Sequence, residues 1–387
     1  MRSSWPVNSP PDSGADRGFV LIAAVSGRAL AAAASRAGYR PLVVDLFGDL
    51  DTQALAAASV REPGGLSRGF RRDRLLPALE DLAAARAPVG LVYGTGFEDR
   101  PALLQAVADR YPLLGNSPAT VRKVKQPVAL AALCRRLGIP HPPMSRDGAG
   151  EGPWLEKRAG GSGGGHVRPA RQWPISSRRH YLQRQLPGRT IAALVLADGA
   201  RSIVLGFTEQ WAEHAPGLTY RYGGAVRPAE ISSQAAAGMT DAIDRIVPEV
   251  GLVGLNSADF VLDEDDFHLL EINPRPGATL DVFSADSLFH LHVEASRGRL
   301  PAQAPLFTGA KAAAVVYTRR RVVLPPNFGW PPWTADWQPS GVLVRAGEPL
   351  CTVLADAETP DRAYHDVVES AIGMRDYAEL AYDSPDV

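Results

Sequence analysis

The chain has 387 residues, enough for two or three domains, and sets 41 Lys and Arg against 42 Asp and Glu for a formal charge of −1. That balance argues against nucleic acid or an anionic membrane as the main partner, because both select a basic excess. A hydrophobic content of 45% with 21% charged residues excludes global disorder, and two cysteines, Cys134 and Cys351, cannot build a disulfide framework or a zinc knuckle.

Residues 1–17 read as a disordered tail. The run that follows, GFVLIAAVSGRALAAAA, imitates a secretion signal, but Arg28 interrupts it and no compact basic region precedes it. No window holds the ~18 uninterrupted apolar residues that a membrane span needs, so a reducing, cytoplasmic compartment is the expectation. The run reads better as a buried strand at 19–25, a Ser26-Gly27 turn and an Ala-rich helix to Arg36. Further strands are expected at 41–47, 89–93 and 113–115, with helices at 74–86 and 100–110. Such alternation predicts a parallel sheet covered by helices. The Ser26-Gly27 turn lacks the three-glycine dinucleotide fingerprint, and Asp45 and Asp49 read as turn caps.

Ser117-Pro118 starts a short helix, and residues 126–137 form a second that stops at Gly138. From residue 150 the pattern turns to strands at 154–157, 181–185, 191–196 and 202–208, a helix at 234–247 and a hairpin of 257–262 with 267–272. The tail from about Lys311 reads as strand-rich, with a Pro/Trp segment at 324–337 that reads as a packed covering loop. His290 and His292 flank Leu291 on a helix and are assigned to its surface. The basic clusters at 68–74 and 319–321 read as solvated faces or ion pairs. Arg221, between Tyr220 and Tyr222, is open between packing and contact with a substrate carboxylate.

Three segments carry chemistry. In the hairpin, Glu271 and Asn273 are two residues apart on one strand and share a face; closure on the turn 263–266 brings Asp259 to that face. Two carboxylates and an amide oxygen suit Mg²⁺, which keeps few protein ligands and also binds substrate phosphates. Arg275, pinned between Pro274 and Pro276, is placed for a phosphoryl group or oxyanion. The competing reading is a surface hairpin with solvated acids. The second segment is WLEKRAGGSGGGH, in which Lys157 at a strand end precedes Gly160, Gly161, Gly163, Gly164 and Gly165. Glycine backbone lets N–H groups approach phosphate oxygens, although a linker would look the same. The third is YLQRQLPG, a strand ending in a turn, whose backbone could meet a planar base.

In this order, GNSP with Lys125, WLEKRAGGSGGGH, YLQRQLPG and ADFVL followed by LLEINPRPG resemble the ATP-grasp superfamily of carboxylate–amine ligases over about residues 18–355. The resemblance implies an α/β and α+β architecture: an N-terminal parallel α/β pre-domain at 18–117, two ATP-clasping lobes at 118–304 with a hinge near 183–188, and a small β-rich C-terminal capping domain at 305–387. It implies that Lys125 and Lys157 contact phosphates, that Gly160, Gly161, Gly163, Gly164 and Gly165 form the flexible loop over the triphosphate, and that Gln183, Arg184 and Leu186 line adenine. Asp259, Glu271 and Asn273 would hold Mg²⁺ (or Mn²⁺), and Arg275 with Lys157 would serve catalysis. Metal and cationic clamps are what phosphoryl transfer demands. Arg184 and Thr190 depart from the acidic residues common at their positions, a change that bears on nucleotide affinity and base choice.

The C-terminal segments GAKAAAVVYTRRR and SGVLVRAGEPLCTVLADA are similar to the subgroup containing tyramine–glutamate ligases of methanofuran- or methylofuran-type one-carbon cofactor synthesis. This resemblance implies an acylphosphate intermediate, small-molecule carboxylate and amine substrates, and compatibility with a homodimer. Two other readings stay open: an ATP-dependent kinase on the same fold, and a nucleotide-binding module without turnover.

Overall fold

Four short segments, three of them apolar, pair in parallel at the N-terminal end of the chain. In the computed structural model, which describes residues 16–63, 69–145, 152–170, 177 and 179–383, they are β1 (Phe19–Ala23), β2 (Arg40–Asp45), β3 (Ala58–Arg61) and β4 (Leu91–Tyr93), in the order β3-β2-β1-β4. Helices α1 (Arg28–Arg36), α2 (Leu50–Leu55), α3 (Arg72–Ala83) and α4 (Pro101–Ala108) cover them. The expected tail lies outside the described residues apart from Asp16 and Arg17, as does the first member of the 68–74 cluster. The fourth expected strand, 113–115, joins only through one parallel bridge between Leu91 and Leu113. Sequence reading missed α2 and β3; LDTQAL is a turn and a half long, and ASVR is half-exposed with no apolar run.

The alanines of α1 explain how this sheet meets the rest. Ala31, Ala33 and Ala34 are buried in a core shared with Phe283, Phe289 and Val293, and their small side chains let the helix approach closely. Next come α5 (Pro118–Lys125) and α6 (Pro127–Arg136). Ser117 caps α5 by accepting the Thr120 N–H at 3.1 Å, with Pro118 at the first helical position. A small antiparallel sheet follows, β5 (Met144–Ser145), β6 (Trp154–Arg158), β7 (Arg168–Pro169) and β8 (His180–Arg184), ordered β5-β8-β6-β7.

The large sheet begins with β9 (Arg189–Asp198), β10 (Ser202–Ala212) and β11 (Tyr222–Arg227); α7 (Ser233–Val250) leads into the hairpin of β12 (Val253–Asp263) and β13 (Asp266–Asn273). Helix α8 (Leu288–Ser296) precedes β14 (Ala310–Tyr317), β15 (Val322–Val323), β16 (Thr334–Ala335), β17 (Leu343–Val344), β18 (Pro349–Ala357) and α9 (Pro360–Asp383). Eight of these strands form one antiparallel sheet, β13-β12-β9-β10-β11-β14-β18-β16. Strand β9 is apolar from Ile191 to Ala197 because both faces are covered. Ile191, Ala193, Val195 and Ala197 face the α7 residues Ile243, Ile246 and Val247, while Leu194 and Leu196 face Phe283 and Phe289.

Two expectations are corrected here. The tail is strand-rich as far as Ala357, but it ends in the 24-residue α9. Ala363, Val367, Met374 and Ala378 form its buried stripe against Val316 and Val353; interspersed Tyr and Val had obscured the helical period. Strands β14, β16 and β18 extend the large sheet, while β15 and β17 pair as a separate two-stranded sheet. His292 is not on the helix surface. It is buried, accepts the Leu255 N–H on Nδ1 at 2.8 Å and donates from Nε2 to the Leu114 carbonyl at 2.9 Å. Phe328, Trp330 and Trp333 do pack on the α9 core, as a covering loop would. Among the described residues, no helix is long and apolar enough to cross a membrane.

Candidate active site

The hairpin closes with Asp259 directly opposite Glu271, and a bulge just beyond, where Phe260 pairs with Leu269, sharpens the twist at this point. Asn273 Nδ2 donates to Asp259 Oδ2 at 2.9 Å, and Ser257 Oγ donates to Asp259 Oδ1 at 2.8 Å. The Asn273 amide is thereby oriented so that its Oδ1 meets Lys125 Nζ at 2.7 Å, and Lys125 also reaches Glu271 Oε2 at 3.1 Å. Lys125 is buried at the C-terminal end of α5. Burial would raise both acids. In Asp259 burial prevails, reinforced by the neighbouring Glu271 charge, and its pKa goes up; in Glu271 the cations Lys125 and Lys157 outweigh burial and hold it low.

Lys157 lies on β6 and donates to Gln183 Oε1 on the paired strand β8 at 2.6 Å; burial lowers its pKa despite the attraction of Glu271 and Asp259. The glycines after it are docked rather than loose. Gly160, Gly163 and Gly164 have φ of +71°, +70° and +73°, which disfavours any side chain. A Cβ on Gly164 would lie 1.7 Å from the Tyr220 carbonyl oxygen, and one on Gly161 would lie 2.4 Å from the His166 ring. Gly163 O accepts the Tyr222 N–H at 3.0 Å, fastening the loop to the entrance of β11. Gly165 sits between Gly164 and His166 with only Leu218 near its Cβ position. Arg221 turns out to pack: its guanidinium lies 3.6 Å from the centre of the Tyr317 ring, and Nη1 donates to the Gly347 carbonyl.

Between the small sheet and the hairpin lies a cleft lined by Val124, Lys125, Leu130, Tyr181, Gln183 and Glu271. Of the three residues assigned to a base, Gln183 lines this cleft and Arg184 and Leu186 do not. The Arg184 N–H is taken by the Pro143 carbonyl at 2.9 Å. Thr190 is paired within the large sheet, opposite Gln210 and Val261. Gly188 is required where it stands, because a Cβ there would lie 2.4 Å from the Leu262 carbonyl oxygen.

Arg275 is buried, and its Nε donates to Glu98 Oε1 at 2.9 Å. Sequence reading missed Glu98, which stands in the plain stretch GTGFEDR with no periodicity to mark it. It also missed the clamp on the preceding residue: Tyr93 Oη and Asn116 Nδ2 both donate to the Pro274 carbonyl, at 3.1 and 3.0 Å. Asn116 belongs to the GNSP segment, which reads from the sequence as a helix start and as part of the resemblance but not as a clamp.

The donor set fits Mg²⁺ and a polyphosphate. Asp259, Glu271 and Asn273 supply three hard oxygen-bearing groups on adjoining positions, too few to saturate an octahedral ion and so suited to one that also takes phosphate oxygens. Among the described residues no three His, Cys, Asp or Glu side chains converge on a metal position. Gln183 Nε2 is buried in the cleft wall with no protein partner, a donor open to a ligand.

Residues 128–279 match a family model described as an ATP-grasp domain (ATP-grasp_3). This is the ATP-grasp fold. A biotin carboxylase from Campylobacter jejuni, in complex with β,γ-ATP, superposes with a TM-score of 0.69 at 16% identity, covering 95% of this chain and 95% of that one. The biotin carboxylase domain of the Hydrogenobacter thermophilus 2-oxoglutarate carboxylase, with MgADP and bicarbonate, gives a TM-score of 0.68 at 14% identity over 92% of this chain and 89% of that one. Among curated proteins, the carbamoyl phosphate synthase large chain of Deinococcus deserti is 23% identical over 236 residues, 51% of this chain. The chain spans only 22% of that relative's length.

Proposed function

We propose that this ATP-grasp chain is an ATP- and Mg²⁺-dependent ligase that activates a carboxylate as an acylphosphate and passes it to an amine. The observation that carries this reading is the convergence of Lys125, Asp259, Glu271 and Asn273 on one hairpin face, with Lys157 within electrostatic reach. When bound there, MgATP supplies the phosphoryl group. The chain's own part is to hold charge in place: Asp259, Glu271 and Asn273 take the metal, Lys125 and Lys157 neutralise phosphate oxygens, and glycine N–H groups line the loop side. Arg275 acts on the charge that develops at the reacting oxygen, so positioning and electrostatics count for more in phosphoryl transfer than a general base does. The amine then displaces phosphate, releasing a proton as the amide forms. The likeness of the C-terminal segments to tyramine–glutamate ligases supports glutamate as the acid and a tyramine-like amine as its acceptor. A second acid, bicarbonate, is supported by the bicarbonate named with the Hydrogenobacter carboxylase domain.

Phosphate release from ATP and Mg²⁺ tests both, with glutamate or bicarbonate as acid and tyramine present or absent. Release that rises with glutamate and tyramine together, with amide in the product, supports the ligase. A stable phosphorylated acid that needs no amine would instead identify a kinase, and ATP binding without any release would identify a module that does not turn over.

A further inference from the structure

Arg275 lies just past the hairpin site, and its guanidinium is held from a distant part of the chain. Glu98 sits in the turn between β4 and α4, 177 residues before Arg275, and is 5% exposed. Its Oε1 accepts Arg275 Nε, while Oε2 accepts the N–H groups of Gly96 at 2.7 Å and Phe97 at 3.0 Å. Three donors thus fix the carboxylate. The turn itself is rigid, because the Phe97 ring is fully buried against Phe70 and Tyr93. The next residue, Asp99, meets the opposite wall of the site: Arg158 Nη1 on β6 approaches it to 3.8 Å, and a Cβ on Gly160 would lie 2.8 Å from its Cα. One turn of the parallel domain therefore touches Arg275 on one side and the start of the glycine loop on the other.

We propose that Glu98 is a positioning residue that holds Arg275 by its Nε edge, with Nη1 donating to the Pro276 carbonyl at 3.3 Å, and so turns the remaining N–H groups of the guanidinium toward the phosphoryl oxygens. This rests on the ligase reading above. An arginine side chain has several rotatable bonds, and a fork aimed at a transferring phosphoryl group acts only if those are frozen before the reaction. A buried carboxylate with both oxygens already engaged freezes them. Replacing it with an amide sets one NH₂ group against donors whichever way it is flipped, because both of its oxygens receive hydrogen bonds from donors.

The test compares wild type, Glu98→Gln, Arg275→Met and the double variant, with ATP and Mg²⁺ as probes and bicarbonate or glutamate with tyramine as co-substrates. Glu98→Gln should lower kcat at least tenfold and leave KM for ATP within about twofold, since its partner acts after ATP is bound. In the Arg275→Met background it should cost nothing further, because a residue acting through another loses its effect with it. Glu98→Asp, which keeps the charge but draws it back, should fall between wild type and Glu98→Gln, and it replaces Glu98→Gln should that variant not fold. Equal kcat losses in the two backgrounds, or a Glu98 variant with wild-type kinetics, would overturn the positioning role while the ligase reading stands. A wild type that neither binds ATP nor releases phosphate would overturn the ligase reading, and this proposal with it.

Discussion

Two neighbouring glycines offer an internal comparison that isolates the docking of the loop. Gly163 and Gly164 have nearly the same backbone, φ +70° and +73°, but a Cβ on Gly163 meets nothing within 4 Å whereas one on Gly164 would sit 1.7 Å from the Tyr220 carbonyl oxygen. Alanine at either position incurs the left-handed backbone cost of roughly 1–2 kcal/mol. Only at Gly164 must the loop also withdraw from Tyr220, and doing so breaks the bond from Tyr222 N–H to Gly163 O. One lost hydrogen bond at about 1 kcal/mol and a similar loss of packing give a difference between the two variants of about 2 kcal/mol, or roughly thirtyfold in affinity. Calorimetric titration with MgATP reads this directly, once thermal melting shows both variants folded. Gly164→Ala should bind about thirtyfold more weakly than Gly163→Ala. Equal affinities for the two variants would refute the claim that the docked loop is the nucleotide-binding arrangement.

Other consequences follow from single side chains. Glu271→Gln removes a charge that faces both Lys125 and the metal position, so Mg²⁺-dependent ATP turnover should fall by about two orders of magnitude, as for loss of a key electrostatic group, with the fold intact by circular dichroism; retained turnover would contradict the metal assignment. Arg28 is buried, with Nη2 donating to Asp281 Oδ2 at 2.7 Å and Nε to Asp336 Oδ1 at 3.1 Å. Arg28→Met leaves those carboxylates without their cation and should cost about 3–5 kcal/mol in urea unfolding; a loss below about 1 kcal/mol would mean that the network adds little. Burial holds the pKa of His292 down at about 4. The unfolded chain takes up this proton near pH 6.5 and the native one resists it to about pH 4, so stability is lost as pH falls through that window, by up to about 1.4 kcal/mol per unit. Unfolding of wild type and His292→Gln at pH 7 and pH 5 should show a smaller drop for the variant; equal drops would count against a neutral, buried His292.

The parts legible in the sequence are those governed by short-range rules. Period-two alternation around a four-acid turn places Asp259 and Glu271 on one face, and the pairing of those two residues is what the hairpin contains. Ser-Pro at a helix start predicts α5, and Ser117 caps it. The parts that escaped are fixed by long-range packing. A strand pattern at 310–357 says nothing about which sheet it joins, and β14, β16 and β18 join the large one while β15 and β17 pair with each other. His292 looks like a surface residue from its neighbours' spacing, yet its two partners come from residues 114 and 255. The glycine run gave equal support to a linker and to a cradle, because what separates them is the Tyr220 carbonyl against Gly164, a contact between residues 56 positions apart in the sequence.

The same contrast divides the candidate site itself. The proposed metal ligands come from one hairpin and the lysine beside them from one helix end, so sequence spacing nearly suffices to find them. Its orientation does not come from there. Arg275 is held by Glu98, Pro274 by Tyr93 and Asn116, and the glycine loop by Asp99 and Tyr220, each through a contact between residues far apart in the sequence. Phosphoryl transfer depends on placement more than on the identity of a reactive group. The residues easiest to find in the sequence therefore name the class of chemistry, and the ones it hides control how well that chemistry is aligned.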